Sequence, residues 1–201
     1  RDVNLRLNNK LILKSINFQI MPGDIIGLIG KNGSGKSTLL RLLAGVYCPD
    51  SGFIEKTDEY NFYGSLGVGF LPNLTTHENI VRFLLLNNKE DEIKNEIKLK
   101  KLIKQYELDE YLNLQFKHLS SGFKLRVSFL CFSFFEFNNL MLDEFFGFAD
   151  KKIFEKFINF FMKKDSIFIV SSHNISLINK YCNRIIELDE GFIIEDKKLN
   201  I

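Results

Sequence analysis

The chain has 201 residues, 45% hydrophobic and 13% aromatic, enough to enclose a real core in one domain or in one domain with an inserted subdomain. Its 27 Lys+Arg stand against 25 Asp+Glu, and a net charge of +2 is too small to argue for nucleic acid or an anionic membrane surface as a partner. Wholesale disorder is excluded by the same composition, and the longest apolar stretch, around residues 127–135, is about half of what a bilayer-spanning helix needs.

Residues 11–20 (LILKSINFQI) alternate partly between apolar and polar, which predicts a half-buried strand, and Pro22-Gly23 supplies a turn after it. Residues 25–30 (IIGLIG) are a short apolar run ending in a glycine-rich loop, and 37–44 (STLLRLLA) has helical spacing. Strand, glycine loop and helix open a parallel α/β unit. Residues 51–54 and 65–71 read as further strands. From about 76 to 114 apolar residues recur at three and four amid dense charge, which predicts a mostly helical insertion. Beyond it the pattern predicts a helix at about 121–135, a strand at 140–142, a helix at 150–162, a strand at 167–171 and a helix at 174–182. Two short strands, 184–188 and 192–195, close around the turn Asp189-Glu190-Gly191. Cys48, Cys131 and Cys182 are odd in number and lack metal spacing, so buried thiols in a reducing compartment are expected. No signal-peptide pattern is read at the start, and the chain opens on Arg1, so residues ahead of it are expected.

Gly30-Lys31-Asn32-Gly33-Ser34-Gly35-Lys36-Ser37 satisfies G-x-x-x-x-G-K-[ST] with a strand before it and a helix after it, and Thr38 continues the helix. Such glycines let backbone N–H groups converge on a polyphosphate, and the positive end of the helix reinforces the site. Lys36 would reach the β- and γ-phosphates, and the Ser37 hydroxyl would hold Mg²⁺. Residues 140–144 (LMLDE) are an apolar strand ending in two carboxylates. Beside a phosphate loop, Asp143 would serve Mg²⁺ and Glu144 would polarise a water. Ser120, Ser121 and Gly122 lead into the helix FKLRVSFL, where a serine N-cap and a second anion site share one geometry. His173 follows the apolar run IFIVSS, which delivers it to the sheet edge where the phosphate loop opens.

These motifs, in this order, resemble the nucleotide-binding subunits of ATP-binding-cassette (ABC) transporters over essentially the whole chain. GKNGSGKS is similar to the family's Walker A loop, LSSGF to its signature, LMLDE to Walker B and SSHN to the switch-histidine segment; Asp150 falls where the D-loop aspartate sits. The signature's Ser-Ser-Gly, the segment GVGFLPNLTTHENI (67–80) and DEFFGFAD look most like the branch exporting polysaccharide, O-antigen or teichoic acid. The resemblance implies an α/β fold: a P-loop NTPase core with an antiparallel N-terminal sheet (1–74 and 136–201) and a helical subdomain at about 75–135. It implies ATP and Mg²⁺ as ligands, with Gly30–Thr38 binding nucleotide, Asp143 holding the metal, Glu144 activating water and His173 holding the γ-phosphate and its nucleophile in place. It further implies a head-to-tail homodimer in which Ser120, Ser121 and Gly122 of each chain close on the other's γ-phosphate. The partner would be a separate transmembrane permease subunit, docked at the cytoplasmic face of the inner membrane through the helical subdomain and residues 71–76, with no nucleic acid involved. Two positions depart from the family pattern: the usual glutamine after the strand near Phe70 is Leu71, with Asn73 nearby, and residues 1–17 hold no aromatic for adenine, leaving an aliphatic such as Leu7 or Leu11, or residues ahead of Arg1. Against a GTPase, Asn88-Lys89-Glu90-Asp91 precedes Asp143-Glu144-Phe145-Phe146-Gly147, the reverse of the guanine-motif order; an ABC ATPase acting on ribosomes or DNA is the alternative within the family.

Overall fold

The computed structural model describes residues 1–55, 61–65, 67, 69–135, 137–144, 151–161 and 166–199. They fall into two compact units: Arg1–Ser65 with Phe137–Gly147 and Met162–Ile201, and Leu66–Glu136 with Phe148–Phe161.

The first unit is built on a sheet whose middle strands are apolar on both faces, as a parallel sheet covered on both sides requires. The strands are β3 (Ile25–Ile29), β4 (Asn61–Ser65), β5 (Asn139–Asp143), β6 (Ile167–Ser171), β7 (Arg184–Asp189) and β8 (Phe192–Lys198). They lie in the order β4-β5-β6-β3-β7-β8, all parallel except β8, which pairs antiparallel with β7. Every residue of β5 is buried. A separate antiparallel hairpin, β1 (Val3–Leu7) and β2 (Lys10–Ile16), turns through Asn8 and Asn9 at φ 51° and 63°, a conformation that asparagine tolerates. Helix α1 (Lys36–Leu43) buries Leu39, Leu40 and Leu42 with Leu13 of β2 and with Ile26, Leu28, Ile186 and Leu188 of the sheet. Helix α7 (Ile175–Tyr181) packs on β3 at Gly27, where a Cβ would stand 2.3 Å from Ile178 Cγ2.

The second unit carries α2 (Thr76–Leu86), α3 (Glu90–Lys94), α4 (Glu96–Gln105), α5 (Ser121–Phe132), α6 (Lys151–Phe161) and two short 3₁₀ turns, Asp109–Tyr111 and Phe116–His118. Thr75 and Glu78 form a reciprocal capping box at the start of α2. The phenylalanines concentrate here: Phe129 stacks on Phe157 at 3.8 Å and Phe70 on Phe116 at 4.9 Å between ring centroids. Tyr106 is fully buried and shares a hydrogen bond with Ser133 Oγ at 2.8 Å.

Four sequence expectations fail. The strand expected at 65–71 lies earlier, at Asn61–Ser65, because Gly67 and Gly69 adopt φ 78° and 87°, outside the extended region. Residues 51–54 form no strand: Ser51 makes an isolated bridge to Asn4, and Gly52 at φ 79° turns the chain away. Cys48 is exposed, while Cys131 and Cys182 are buried. The hairpin strand β2 also stops at Ile16, four residues before the expected end.

Candidate functional site

Five parallel strands deliver their carboxyl ends to one edge of the sheet, which is where ligands sit in such sheets. Strand β3 runs into Gly30, and the loop then turns through Gly30, Gly33 and Gly35 at φ 139°, 80° and 108°. Only glycine enters these conformations without strain, and at Gly30 a Cβ would also lie 2.2 Å from the Leu188 carbonyl oxygen. At Gly33 the added Cβ would meet nothing within 4 Å, so the loop is open at that position. Lys31, Asn32 and Gly33 are exposed; Ser34, Gly35, Lys36 and Thr38 are buried and Ser37 is half-buried.

Gly35 caps α1 with no side-chain hydrogen bond, and no acidic residue stands in the first turn. The first amides of α1 and its dipole therefore face the loop with no capping side chain and no first-turn acid. Ser34 Oγ is buried without a hydrogen-bond partner among the described residues. Lys36 Nζ donates to the carbonyls of Gly30 at 2.8 Å and Lys31 at 2.9 Å, folding the ammonium back over the loop. Burial lowers the pKa of Lys36, while the carboxylates of Glu144 and then Asp143 pull it back up. A basic group, open amides and an orphaned hydroxyl around one cradle fit a polyphosphate.

Asp143 closes β5 and is buried; Ser171 Oγ donates to its Oδ1 at 2.6 Å and Tyr63 OH donates to its Oδ2 at 3.0 Å. A buried carboxylate with hard oxygen chemistry, and with Lys36 as the cation it interacts with, suits Mg²⁺ held through one carboxylate and nucleotide phosphates. Glu144 sits next, at φ 60°, and its N–H donates to Ser171 Oγ at 2.9 Å. His173 Nε2 lies 3.0 Å from Glu144 Oε1, both side chains about half exposed. The turn that carries His173 is fixed on its far side: Asn174 N–H donates to Ser172 Oγ at 2.9 Å and Asn174 Oδ1 caps α7 through Leu177 N–H.

The structure thus brings together Lys36, Asp143, Glu144 and His173 in the first unit. Ser120, Ser121 and Gly122 belong to the second unit, where Ser120 N-caps α5 by accepting from Phe123 N–H at 3.4 Å. Asp150 lies outside the described residues. The strand end beside Asp143 is Ser65, which pairs with it, rather than Leu71; the backbone of Leu71 is instead held at both groups by the Asn79 amide, at 2.7 and 3.0 Å. Leu7 and Leu11 are half-buried in the N-terminal hairpin. Sequence reasoning missed Arg41, Tyr63 and Ser171. Arg41 Nε donates to Tyr63 OH at 3.2 Å, and burial, followed by the charge of Asp143, raises the pKa of Tyr63.

The ABC transporter family profile matches residues 13–147. The chain is 38% identical over 188 residues to the O-antigen export system ATP-binding protein RfbE of Yersinia enterocolitica, spanning 92% of this chain and 78% of that protein. It is 33% identical to the ATP-binding protein BexA of Haemophilus influenzae (92% and 84% covered) and 32% identical to the polysialic acid transport ATP-binding protein KpsT of Escherichia coli (91% and 82%). In fold it is similar to an ATP-binding subunit of an ABC transporter, with a TM-score of 0.77 at 20% identity over 99% of this chain and 88% of that one. A dimeric ATP-binding cassette in a post-hydrolysis state with ADP and phosphate matches at a TM-score of 0.75 and 21% identity, over 100% and 98%.

Proposed function

The chain belongs to the ABC transporter family as one of its ATP-hydrolysing subunits, and from that premise we propose that it powers export of a polysaccharide or lipid-linked glycan through a separate membrane subunit. The observation that carries the reading is the convergence of Lys36, Asp143, Glu144 and His173 on one sheet edge beside an open glycine loop. In this reading Gly30, Lys31, Asn32, Gly33, Ser34, Gly35, Lys36, Ser37 and Thr38 cradle the phosphates of ATP, with backbone amides as donors and Lys36 as the cation. Lys36 leaves the Gly30 and Lys31 carbonyls for phosphate oxygens, so the loop exchanges an internal cation contact for a ligand one. Ser37 and Asp143 would hold Mg²⁺, which supplies charge neutralisation at the β- and γ-phosphates.

Glu144, at φ 60° just past the end of β5, takes a proton from the attacking water. His173, in contact with Glu144, keeps that carboxylate and the γ-phosphate in register. In the same reading a second anion donor meets the far side of the γ-phosphate. Ser120, Ser121 and Gly122 at the start of α5 supply it from a second chain in a head-to-tail dimer, and a solved cassette of similar fold is also dimeric. Among the described residues no helix is long and apolar enough to cross a membrane. In this reading the chain docks on its membrane subunit from the cytoplasmic face. Asp150 contributes to the dimer site in the same reading. The glycan cargo follows from the names of the relatives, which export O-antigen or transport polysialic acid. Deleting the protein in its host should leave the glycan inside the cell, and wild-type but not Glu144→Gln protein should restore it to the surface. Unchanged surface glycan in the deletion strain would overturn the cargo.

A further inference from the structure

We propose that Tyr63 and Ser171 form a two-hydroxyl clamp on Asp143, with Arg41 setting the direction of the Tyr63 bond, and that the clamp orients the carboxylate for a nucleotide-bound magnesium ion. The proposal rests on the nucleotide site described above and adds three positioning residues to it. Asp143 is 5% exposed and receives one hydroxyl on each oxygen, from Tyr63 at 3.0 Å and from Ser171 at 2.6 Å. The directions of both bonds are forced. Arg41 Nε can only donate, and it gives its hydrogen to Tyr63 OH, so the phenol proton is left for the carboxylate. The Glu144 N–H occupies Ser171 Oγ as an acceptor, so the Ser171 proton goes to the other carboxylate oxygen.

An ionised carboxylate has about four lone-pair sites, so one remains on each oxygen for the ion or its bound water. The terminal torsion of an aspartate is broad, and two fixed donors remove that freedom. Register makes the arrangement possible. Tyr63 pairs with Met141, which lies on the same sheet face as Asp143, and Ser171 follows Val170, the partner of Leu142. Arg41 stands four residues after Ser37 on α1, one turn along the same face, so the helix that opens the phosphate loop also carries the arm behind Tyr63. Ser171 does a second thing: its oxygen holds the amide of Glu144 in a left-handed conformation that a glutamate rarely adopts. One buried hydroxyl therefore fixes both acids of the site.

A plainer account makes Tyr63 a filler of the core under α1 and Arg41 a cation placed at the helix C-terminus. That account predicts altered stability and no change in magnesium dependence. The test is equilibrium binding of a non-hydrolysable ATP analogue by calorimetry, in EDTA and across a magnesium series, for wild type, Tyr63→Phe, Arg41→Met, Ser171→Ala and the Tyr63→Phe/Arg41→Met pair. Tyr63→Phe keeps the ring and loses only the hydroxyl, so it carries the test even where Ser171→Ala fails to fold. The expected result is EDTA affinity within about twofold of wild type and a magnesium midpoint raised roughly tenfold, the size of one lost hydrogen bond to a charged group. Arg41→Met should raise the midpoint less and add nothing in the Tyr63→Phe background, because it acts through the same hydroxyl. An unchanged midpoint in Tyr63→Phe, or an equal loss with and without magnesium, overturns the clamp. A wild-type protein that binds no analogue overturns the nucleotide site itself, so the two failures are distinct.

Discussion

Replacing Gly191 with alanine is expected to destabilise the protein by about 3–4 kcal/mol and to weaken nucleotide binding, although Gly191 belongs to none of the motifs. Gly191 sits at φ 87° in the turn between β7 and β8. An added Cβ would stand 2.1 Å from the Ile12 carbonyl oxygen and 3.1 Å from its carbon, both backbone atoms of β2 that cannot rotate away. Relief requires a movement of about 1 Å, and the left-handed backbone costs an alanine roughly 1 kcal/mol before any overlap. The same movement pulls on two hydrogen bonds, Gly191 N–H to the Ser34 carbonyl at 3.0 Å and Lys14 N–H to the Gly191 carbonyl at 2.8 Å. Each is worth about 1 kcal/mol, and the first anchors the phosphate loop from behind. Urea unfolding reads the stability, and a chain of this size should lose roughly 10 °C in Tm. Gly33→Ala is the control: its Cβ meets nothing within 4 Å, so it should show only the backbone cost of about 1 kcal/mol. If Gly191→Ala unfolds within 1 kcal/mol of wild type, or no further than Gly33→Ala, the turn does not buttress the loop as argued.

A thiol reagent should titrate Cys48 quickly in the native protein. Cys131 and Cys182 should react only on unfolding, because burial raises both pKa values, that of Cys182 to about 12. Fast reaction of a second thiol would contradict the packing around α5 or α7. Ser120→Arg should keep monomer binding of ATP and lose ATP-dependent dimerisation, and Lys36→Ala should lose binding itself. Mixed, the two variants make one composite site with both defects and one with neither, so light scattering should show partial recovery of ATP-dependent association. No recovery, under conditions where the two chains demonstrably pair, would contradict a site shared between chains.

The residues proposed to touch phosphate were legible because their chemistry is local. The glycine loop, its lysine and the following helix are consecutive, and the strand Ile167–Ser171 has the bounds its apolar run marks. The β4 strand was not legible, since apolar residues and glycines run on past Ser65 in NFYGSLGVGF and only its pairing with β5, about 80 residues away, decides where it stops. Positive φ at Gly67 and Gly69 ends it at Ser65, so the residue beside Asp143 is Ser65 and not Leu71. Arg41, Tyr63 and Ser171 were silent for the same reason. A tyrosine in a strand and a serine before a histidine carry no signal until register places them on one aspartate. The inserted helices showed in their period, while the short break at residue 95 between α3 and α4 did not.

The account turns on Glu144, the acid that touches His173 and follows the buried aspartate. ATP turnover by Glu144→Gln, measured beside its ATP affinity and its elution volume with ATP, is the direct test. An amide keeps the shape and cannot accept the proton, so turnover should fall by about 10²–10⁴ while ATP still binds and holds two chains together as a dimer. Turnover near that of wild type would remove Glu144 from the reaction and contradict the account.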